Sequence, residues 1–143
     1  MCEQRQAARQ APTIGLDTNV LVRYLAQDDT IQSSQATEII ERQLTEENPG
    51  FISLVTMVET VWVLDRVYGL SKHEVAKAVE GILQADTLLV QNEQEAFIAM
   101  TALKAGTSSF SDALIGALGV WAGCTATPTF DKKAKRLKQF ELL

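Results

Sequence analysis

Residues 13–25 read TIGLDTNVLVRYL, and this stretch is the most informative part of the sequence for the fold class. A short apolar run ends abruptly on Asp17, and apolar residues recur at helical spacing from Val20 onward. The pattern predicts a buried strand followed directly by a helix. Ligands of open α/β sheets bind just beyond the carboxyl ends of the strands, so Asp17 lies where a catalytic or metal-binding group is expected. Asp is also a common helix N-cap, so this residue alone leaves both interpretations open.

The composition is that of an ordinary globular protein and predicts one domain. The chain has 143 residues, of which 46% are hydrophobic and 22% are charged. No apolar run reaches the roughly 18 residues of a membrane span, and the N-terminal residues lack the apolar segment of a secretion signal. Cys2 and Cys124 lack the spacing of a metal or redox motif. We therefore expect a cytoplasmic protein with free thiols and no membrane partner.

The histidine content limits the chemistry. His73 is the only histidine, and it lies in the first turn of a predicted helix, far from Asp17 in sequence. Without a second histidine, serine-type triads and multi-histidine zinc sites lose support, and carboxylates remain as the reactive groups. The formal net charge of −5 also argues against indiscriminate binding of nucleic acid.

Strands and helices alternate along the rest of the chain. Further strands are predicted at 51–54, 87–90, 123–127 and 141–143. Helices are predicted at 31–44, 57–68, 71–83, 93–105 and 111–122, with a basic helix from Asp131. Pro128 follows the fourth strand and cannot belong to a central strand of the sheet. The alternation predicts a three-layer α/β/α sandwich around a central, mainly parallel five-stranded sheet, with residues 1–12 as a loose leader and residues 13–143 as the single domain.

Acidic residues stand at strand ends and helix starts. Asp17 and Asp131 follow predicted strands, Glu59 lies in the first turn of the helix after the second strand, and Asp112 opens the helix before the fourth. The strand-to-helix junctions of a parallel sheet share one edge, so we expect these carboxylates to meet there. Each has a capping interpretation of its own, such as the capping-box pattern of Thr56 with Glu59. Their return to a single edge indicates a functional site.

A cluster of carboxylates needs a counter-ion. Two carboxylates about 4 Å apart repel each other by roughly 4 kcal/mol at an effective dielectric constant near 20. An all-oxygen site without histidine or cysteine suits Mg²⁺ or Mn²⁺ better than zinc. Hard divalent ions held by carboxylates activate water in phosphodiester cleavage. The neutral residues Thr18, Asn19 and Thr129 are placed to support the ligands or to hold a substrate phosphate.

Four segments occur together in one order: GLDTNVL at 15–21, SLVTMVE at 53–59, SFSDALI at 109–115 and TFD at 129–131. Together they resemble the PIN-domain family, and in particular the VapC-type toxins of prokaryotic toxin–antitoxin pairs. The resemblance covers about residues 13–143. It implies a five-stranded parallel sheet and a Mg²⁺- or Mn²⁺-dependent endoribonuclease.

The resemblance also assigns roles to residues and implies partners. Asp17, Glu59, Asp112 and Asp131 match the family's acidic quartet, which is catalytic and holds the metal, and Thr129 matches the small hydroxyl residue near the last acid. Besides the RNA substrate, the implied partners are a second copy of the chain, in a homodimer, and a small cognate antitoxin. The tail of that antitoxin would cover the acidic site.

A basic cluster follows Asp131. Its members are Lys132, Lys133, Lys135, Arg136 and Lys138. A polyanionic substrate is repelled by the otherwise acidic surface and needs a local basic approach. We therefore predict that part of this cluster contacts RNA phosphates, with a solvated helix face as the alternative. The intervening Ala134 and Leu137 are expected to face the core.

Other classes of protein fit the sequence less well. A phospho-acceptor receiver domain would need an Asp at the end of the third strand and a Lys-Pro pair after the fifth, and neither is present. A haloacid-dehalogenase-like phosphatase would need a second Asp where Asn19 stands. A non-catalytic PIN-like protein-interaction module remains the main alternative, because it could keep the same fold. Metal-dependent activity on RNA distinguishes it from a nuclease.

Overall fold

The computed structural model describes residues 14–143, and the predicted leader at residues 1–12 lies outside this part of the chain. Within the described residues, the α-helices are α1 Thr18–Ala26, α2 Thr30–Thr37, α3 Leu54–Arg66, α4 Lys72–Gln84, α5 Glu93–Ala105 and α6 Phe110–Trp121. The strands are β1 Ile14–Gly15, β2 Gly50–Ile52, β3 Leu88–Val90, β4 Thr127–Thr129 and β5 Phe140–Leu142. A π-helical turn, Glu38–Gln43, extends α2. No helix among residues 14–143 is both long and apolar enough to cross a membrane.

The strands form two separate parallel sheets. β1, β2 and β3 pair in that order, with Gly15 opposite Phe51 and Phe51 opposite Leu89. β4 pairs with β5, and Thr127 lies opposite Phe140. The predicted α/β class and the parallel strand direction are confirmed. The prediction of one five-stranded sheet is wrong, because three strands pair in one sheet and two in another.

Pro128 explains why β4 does not extend the larger sheet. In the pair with β5, the Thr127 N–H donates to the Gln139 carbonyl at 2.8 Å, and the Thr129 carbonyl accepts from the Leu143 N–H at 2.8 Å. Alternate residues of a parallel strand direct their hydrogen-bonding groups to opposite edges, so position 128 faces away from β5. A proline there has no N–H for a further strand. β4 spans Thr127–Thr129 instead of the predicted 123–127, so Pro128 lies inside it. The prediction that Pro128 cannot belong to a central strand is confirmed, because β4 pairs with β5 alone among the described strands.

β1 forms the open edge of the larger sheet, whereas the sequence predicted a buried strand. Ile14 is 38% exposed, and the first buried hydrophobic side chain is that of Leu16, just after the strand. β1 is two residues long, and no described strand pairs with its outer side. Side chains of an edge strand without a neighbour stay open to solvent, so burial begins only at the junction with α1.

The core lies between the larger sheet and the helices. Leu21 of α1, Ile52 of β2 and Met57 of α3 are all completely inaccessible to solvent. Burying a side chain of this size stabilises the fold by about 1.5–3 kcal/mol. The two helices that follow β1 and β2 are therefore fixed against the central strand, and with them the chain around Asp17 and Glu59.

The smaller sheet packs against α6 at two glycines. A Cβ atom on Gly119 would lie 2.9 Å from Thr127 Oγ1, and one on Gly116 would lie 3.0 Å from Phe140 Cε2. Contacts this short mean that a side chain at either position would have to displace the neighbouring group of the smaller sheet. α6 ends at Trp121 and β4 begins at Thr127, so residues 122–126 join the helix to the strand that packs against it.

A short 3₁₀ turn, Ala134–Arg136, stands where the sequence predicted a basic helix. A crossover between parallel strands that contains a helix needs about a dozen residues or more, and only residues 130–139 separate β4 from β5. The segment instead forms hydrogen bonds between residues three positions apart, such as that from the Leu137 N–H to the Ala134 carbonyl at 3.0 Å. Ala134 is buried and Leu137 packs against the core, as predicted.

Candidate active site

Asp17 occupies the N-cap position of α1, but its side chain does not cap the helix. The backbone is extended at this residue, and its carbonyl accepts from the Leu21 N–H at 3.2 Å. The carboxylate accepts no hydrogen bond from the first turn of α1, and the residue is exposed. The capping interpretation therefore does not account for this acid, and its oxygen atoms are available to a ligand.

Glu59 lies in the second turn of α3, since the helix begins one turn earlier than predicted. Ser53 is the N-cap, and its hydroxyl accepts from the Thr56 N–H at 3.2 Å. The alternative interpretation of Thr56 with Glu59 as a capping box is therefore excluded. Glu59 is exposed and shares one helix face with Val55 and Trp62, which are 67% and 57% exposed. An acid in this position does not stabilise the start of the helix.

Asp112 lies in the first turn of α6, as predicted. Ser109 is the N-cap, and its hydroxyl accepts from the Asp112 N–H at 3.1 Å. This bond uses the backbone of Asp112, so it leaves the half-buried carboxylate available. α3 packs against α6, which places the helix that carries Glu59 beside the helix that carries Asp112.

Asp131 follows β4, as predicted, and it closes a turn where the sequence suggested a helix cap. Its Oδ1 accepts from the Lys133 N–H at 2.8 Å, and its own N–H donates to Thr129 Oγ1 at 3.0 Å. Thr129 therefore holds the backbone of Asp131 in place. This hydrogen bond is consistent with the supporting role predicted for Thr129.

The structure brings these acids onto neighbouring elements without assembling a shell of metal ligands. β1 and β2 are adjacent and parallel, so Asp17 and the start of α3 share an edge. Asp131 follows β4, and β4 packs against Gly119 of α6, the helix whose first turn contains Asp112. Among residues 14–143, no group of three or more histidine, cysteine or acidic side chains is positioned to hold a metal ion. The metal-binding quartet of Asp17, Glu59, Asp112 and Asp131 stays a prediction.

The donor set nevertheless fits a hard divalent ion. All the candidate ligands are carboxylates, and none of them caps a helix with its side chain. Hard cations such as Mg²⁺ prefer oxygen ligands of this kind. The side chains of Asp17, Glu59 and Asp112 therefore accept no helix-capping hydrogen bond that a metal ion would have to replace.

The predicted neutral residues differ in their exposure. Thr18 is 8% exposed, so it is almost completely shielded from a substrate. Asn19 is exposed and lines a groove of about 890 Å³ between α1 and α2, together with Arg23 and Gln32. Of the two residues beside Asp17, only Asn19 is placed to contact a substrate directly.

The sequence did not predict a polar network beside this groove. Arg23 Nη1 donates to both carboxylate oxygens of Asp28 at 3.1 Å, and the Tyr68 hydroxyl donates to Asp28 Oδ2 at 2.6 Å. The hydrogen bond from Tyr68, assisted by the Arg23 guanidinium, lowers the pKa of Asp28, and the same bond raises the pKa of Tyr68. The network links α1 to the chain just after α3. It therefore helps to fix α1, which follows Asp17, relative to α3, which contains Glu59.

The basic residues after Asp131 all lie at the surface. They are Lys132, Lys133, Lys135, Arg136 and Lys138. No ion pair joins any of them to an acidic side chain within residues 14–143. Their charges are therefore available to an anionic partner.

The profile of the PIN domain matches residues 14–139, which is nearly all of the described chain. This chain belongs to the PIN domain family. PIN domains are typically nucleases and generally use divalent metal ions. No curated protein matches the chain significantly. The family predicted from the four sequence segments is thus confirmed, and the two-sheet arrangement is a feature of this PIN domain.

Proposed function

We propose that this PIN domain is a metal-dependent endoribonuclease that uses Mg²⁺ or Mn²⁺. The proposed metal ligands and catalytic residues are Asp17, Glu59, Asp112 and Asp131. The position of Glu59 carries the proposal, since an exposed acid in the second turn of α3 has no capping role. Asp17 supports it, because its side chain accepts no hydrogen bond at the N-cap of α1.

The reaction is hydrolysis of an RNA phosphodiester bond. A divalent ion held by these carboxylates would supply an activated water and charge neutralisation at the phosphate. Asp131 is held by Thr129 and the Lys133 N–H, so its carboxylate keeps one direction. Asn19 is exposed and lines the groove, and this position supports its proposed contact with a substrate phosphate. Thr18 is almost buried, and we propose that it supports Asp17 from the interior.

The RNA would approach along the segment that follows Asp131. Lys132, Lys133, Lys135 and Arg136 are exposed and form no ion pair within the described chain. Each phosphate contact releases counter-ions, so its loss weakens binding across all RNA sequences and makes the dependence on salt shallower. Charge reversal at Lys132 and Lys135 would therefore lower both the affinity and the salt slope.

The biological role that we infer is that of the toxin in a toxin–antitoxin pair. The four motif segments resemble VapC-type toxins, and this resemblance supports a homodimer and inhibition by a small antitoxin whose tail covers the acidic site. A cytoplasmic location follows from that role, because the RNA substrate is there. A neighbouring reading frame for a small DNA-binding antitoxin would support this role, and co-purification of the two products would test it.

Cleavage of single-stranded RNA tests the nuclease function. We expect Mn²⁺ or Mg²⁺ to be required, and we expect Asp112→Asn and Glu59→Gln each to lower the rate by at least about 100-fold, the upper range for residues that only support metal ligands. Asp86→Asn and Glu47→Gln are matched controls, since these exposed acids precede β3 and β2 at the opposite edge of the sheet. The controls should cleave like the wild type.

The same assay separates the nuclease from its main alternative. A non-catalytic interaction module would leave RNA intact at every metal concentration, although the protein is folded and binds a partner. If RNA is cut and Glu59→Gln retains the wild-type rate, the protein is a nuclease whose site does not include Glu59.

A further inference from the structure

Phe130 is the most exposed large hydrophobic side chain among residues 14–143, at 83%. It stands between Thr129 and Asp131, one position from a proposed catalytic acid. Burying a phenylalanine side chain stabilises a protein by about 1.5–3 kcal/mol, and at this position the fold gains almost none of it. Packing within the chain therefore does not account for an aromatic residue here.

The backbone on both sides of Phe130 is fixed. The Thr129 carbonyl accepts from the Leu143 N–H at 2.8 Å, within the pairing of β4 with β5. On the other side, the Asp131 N–H donates to Thr129 Oγ1, and Asp131 Oδ1 accepts from the Lys133 N–H. The ring is therefore presented to solvent from a held segment, which lowers the entropic cost of placing it against a ligand.

The surroundings of Phe130 favour a nucleic acid over a protein. Lys132 and Lys133 follow within three positions, and both are exposed. Lysine is depleted in the cores of protein–protein interfaces, where an exposed aromatic anchor would sit. An aromatic side chain next to a row of cations is the combination that binds single-stranded RNA, since bases stack on the ring while the cations follow the phosphates.

We propose that Phe130 stacks on a base of the RNA substrate beside the phosphate that is cut. Stacking would fix the nucleotide relative to Asp131, while Lys132 and Lys133 hold the neighbouring phosphates. Because every base has a π face, the contact positions the strand without selecting a sequence. The inference rests on the proposed ribonuclease function and adds a specific substrate contact to it.

The test measures RNA binding in the Asp112→Asn background, in which the substrate stays intact. The probe is a set of oligoribonucleotides that carry 2-aminopurine at successive positions, because stacking on an aromatic ring quenches its fluorescence. Phe130→Ala removes the side chain, Phe130→Leu keeps an apolar group without a ring, and Phe130→Tyr keeps the ring. Phe97→Ala is the matched control, since Phe97 of α5 is 55% exposed and is remote in sequence from the proposed ligands.

We expect Phe130→Ala to weaken binding by about 5- to 150-fold, the range for the loss of one stacked base. Phe130→Leu should also bind weakly and should lose the quenching at one 2-aminopurine position. Phe130→Tyr and Phe97→Ala should bind like the parent protein. The salt slope should stay unchanged in every Phe130 variant, in contrast to Lys132→Glu, because no phosphate contact is removed.

Three results would overturn the inference. If Phe130→Ala binds RNA as tightly as Phe97→Ala, the ring contacts no base, and the nuclease proposal stands without it. If Phe130→Ala instead changes the oligomeric state and leaves RNA binding intact, the ring belongs to a contact between copies of the chain. If the Asp112→Asn protein binds no RNA at all and the wild type cleaves none, the proposed function itself fails.

Discussion

The two sheets of this PIN domain differ in burial and in charge. β2 at the centre of the larger sheet includes Ile52, which is completely buried, and the helices that follow β1 and β2 supply Leu21 and Met57 to the same core. In the smaller sheet every residue of β4 and β5 is at least partly exposed. The larger sheet therefore contributes most of the stability, and the smaller sheet contributes an open surface beside Asp131 and the basic cluster.

The difference shows how stability and substrate contact are separated in this domain. Asp17 and Glu59 lie on elements that the core fixes in place. Asp131 instead follows the smaller sheet, which packs against two glycines of α6. A metal site that uses acids from both regions needs both sheets in place. Substitutions in the core of the larger sheet, however, should lower the free energy of unfolding more than substitutions in the smaller sheet. Matched substitutions in the two sheets test this distinction.

The largest expected change in the free energy of unfolding comes from truncating one hydrophobic side chain in a strand of each sheet. Ile52→Ala in β2 should lower the free energy of unfolding by about 2–5 kcal/mol, since it opens a cavity in a completely buried position. Leu142→Ala in β5 should cost clearly less, because Leu142 is only partly buried. Urea unfolding measures both changes. Equal losses for the two variants would contradict the division between a stabilising and an open sheet.

The next effect concerns the contact between α6 and the smaller sheet. Gly119→Ala should destabilise the protein by about 1–3 kcal/mol, because the new methyl group would meet Thr127 Oγ1 at 2.9 Å. Gly81→Ala is the control, since nothing lies within 4 Å of a Cβ atom at this helical position. That variant should be more stable by about 0.5–1 kcal/mol. A gain in both variants would mean that the smaller sheet does not rest on Gly119.

A smaller gain in stability is expected from removing a buried hydroxyl of α3 that has no hydrogen-bond partner. Thr60 is completely buried, and its Oγ1 has no hydrogen-bond partner within the described chain. Thr60→Val keeps the shape and removes this polar atom, so it should raise the free energy of unfolding by about 1 kcal/mol. Thr56→Val should not, because Thr56 Oγ1 accepts from the Ser53 hydroxyl at 3.3 Å. A loss of stability in Thr60→Val would show that this hydroxyl is satisfied in solution.

The smallest effect is a pH dependence from the network of Asp28 with Tyr68. The lowered pKa of Asp28 means that its contribution to stability is present above about pH 4 and is lost as the pH falls through that pKa. The raised pKa of Tyr68 has the opposite sign, so its contribution is present below about pH 10 and is lost at higher pH. Tyr68→Phe should flatten both limbs slightly in unfolding measured across pH. Identical profiles for this variant and the wild type would remove the network from the stabilising contacts.

Local signals in the sequence predicted the helices most reliably. Ser71 and Glu74 form the predicted capping box, and α5 ends at Gly106, which has a φ of 73°. The start of α3 was missed because Ser53 and Thr56 both offer a capping hydroxyl, and the local pattern does not rank them. The structure uses Ser53, which follows β2 directly.

Features that depend on distant parts of the chain were less predictable. Pro128 was recognised as unsuitable for a central strand, but its place inside an edge strand depends on the pairing of β4 with β5. Asp28 and Tyr68 are separated by 40 positions and follow no periodic pattern, so their hydrogen bond left no signal in the sequence. The order of the acids along the fold was predictable from topology.

Mn²⁺ binding by single variants tests most directly whether one metal site joins the two regions. Calorimetric titration would compare the wild type with Asp17→Asn, Glu59→Gln, Asp112→Asn and Asp131→Asn, and with Asp86→Asn as the control. We expect Mn²⁺ at a hundredfold excess over its dissociation constant to stabilise the wild type by about 2.7 kcal/mol. We also expect each of the four variants, but not the control, to bind Mn²⁺ more than about tenfold more weakly. Wild-type affinity in Asp112→Asn and Asp131→Asn, with loss only in Asp17→Asn and Glu59→Gln, would contradict a site shared by the two sheets.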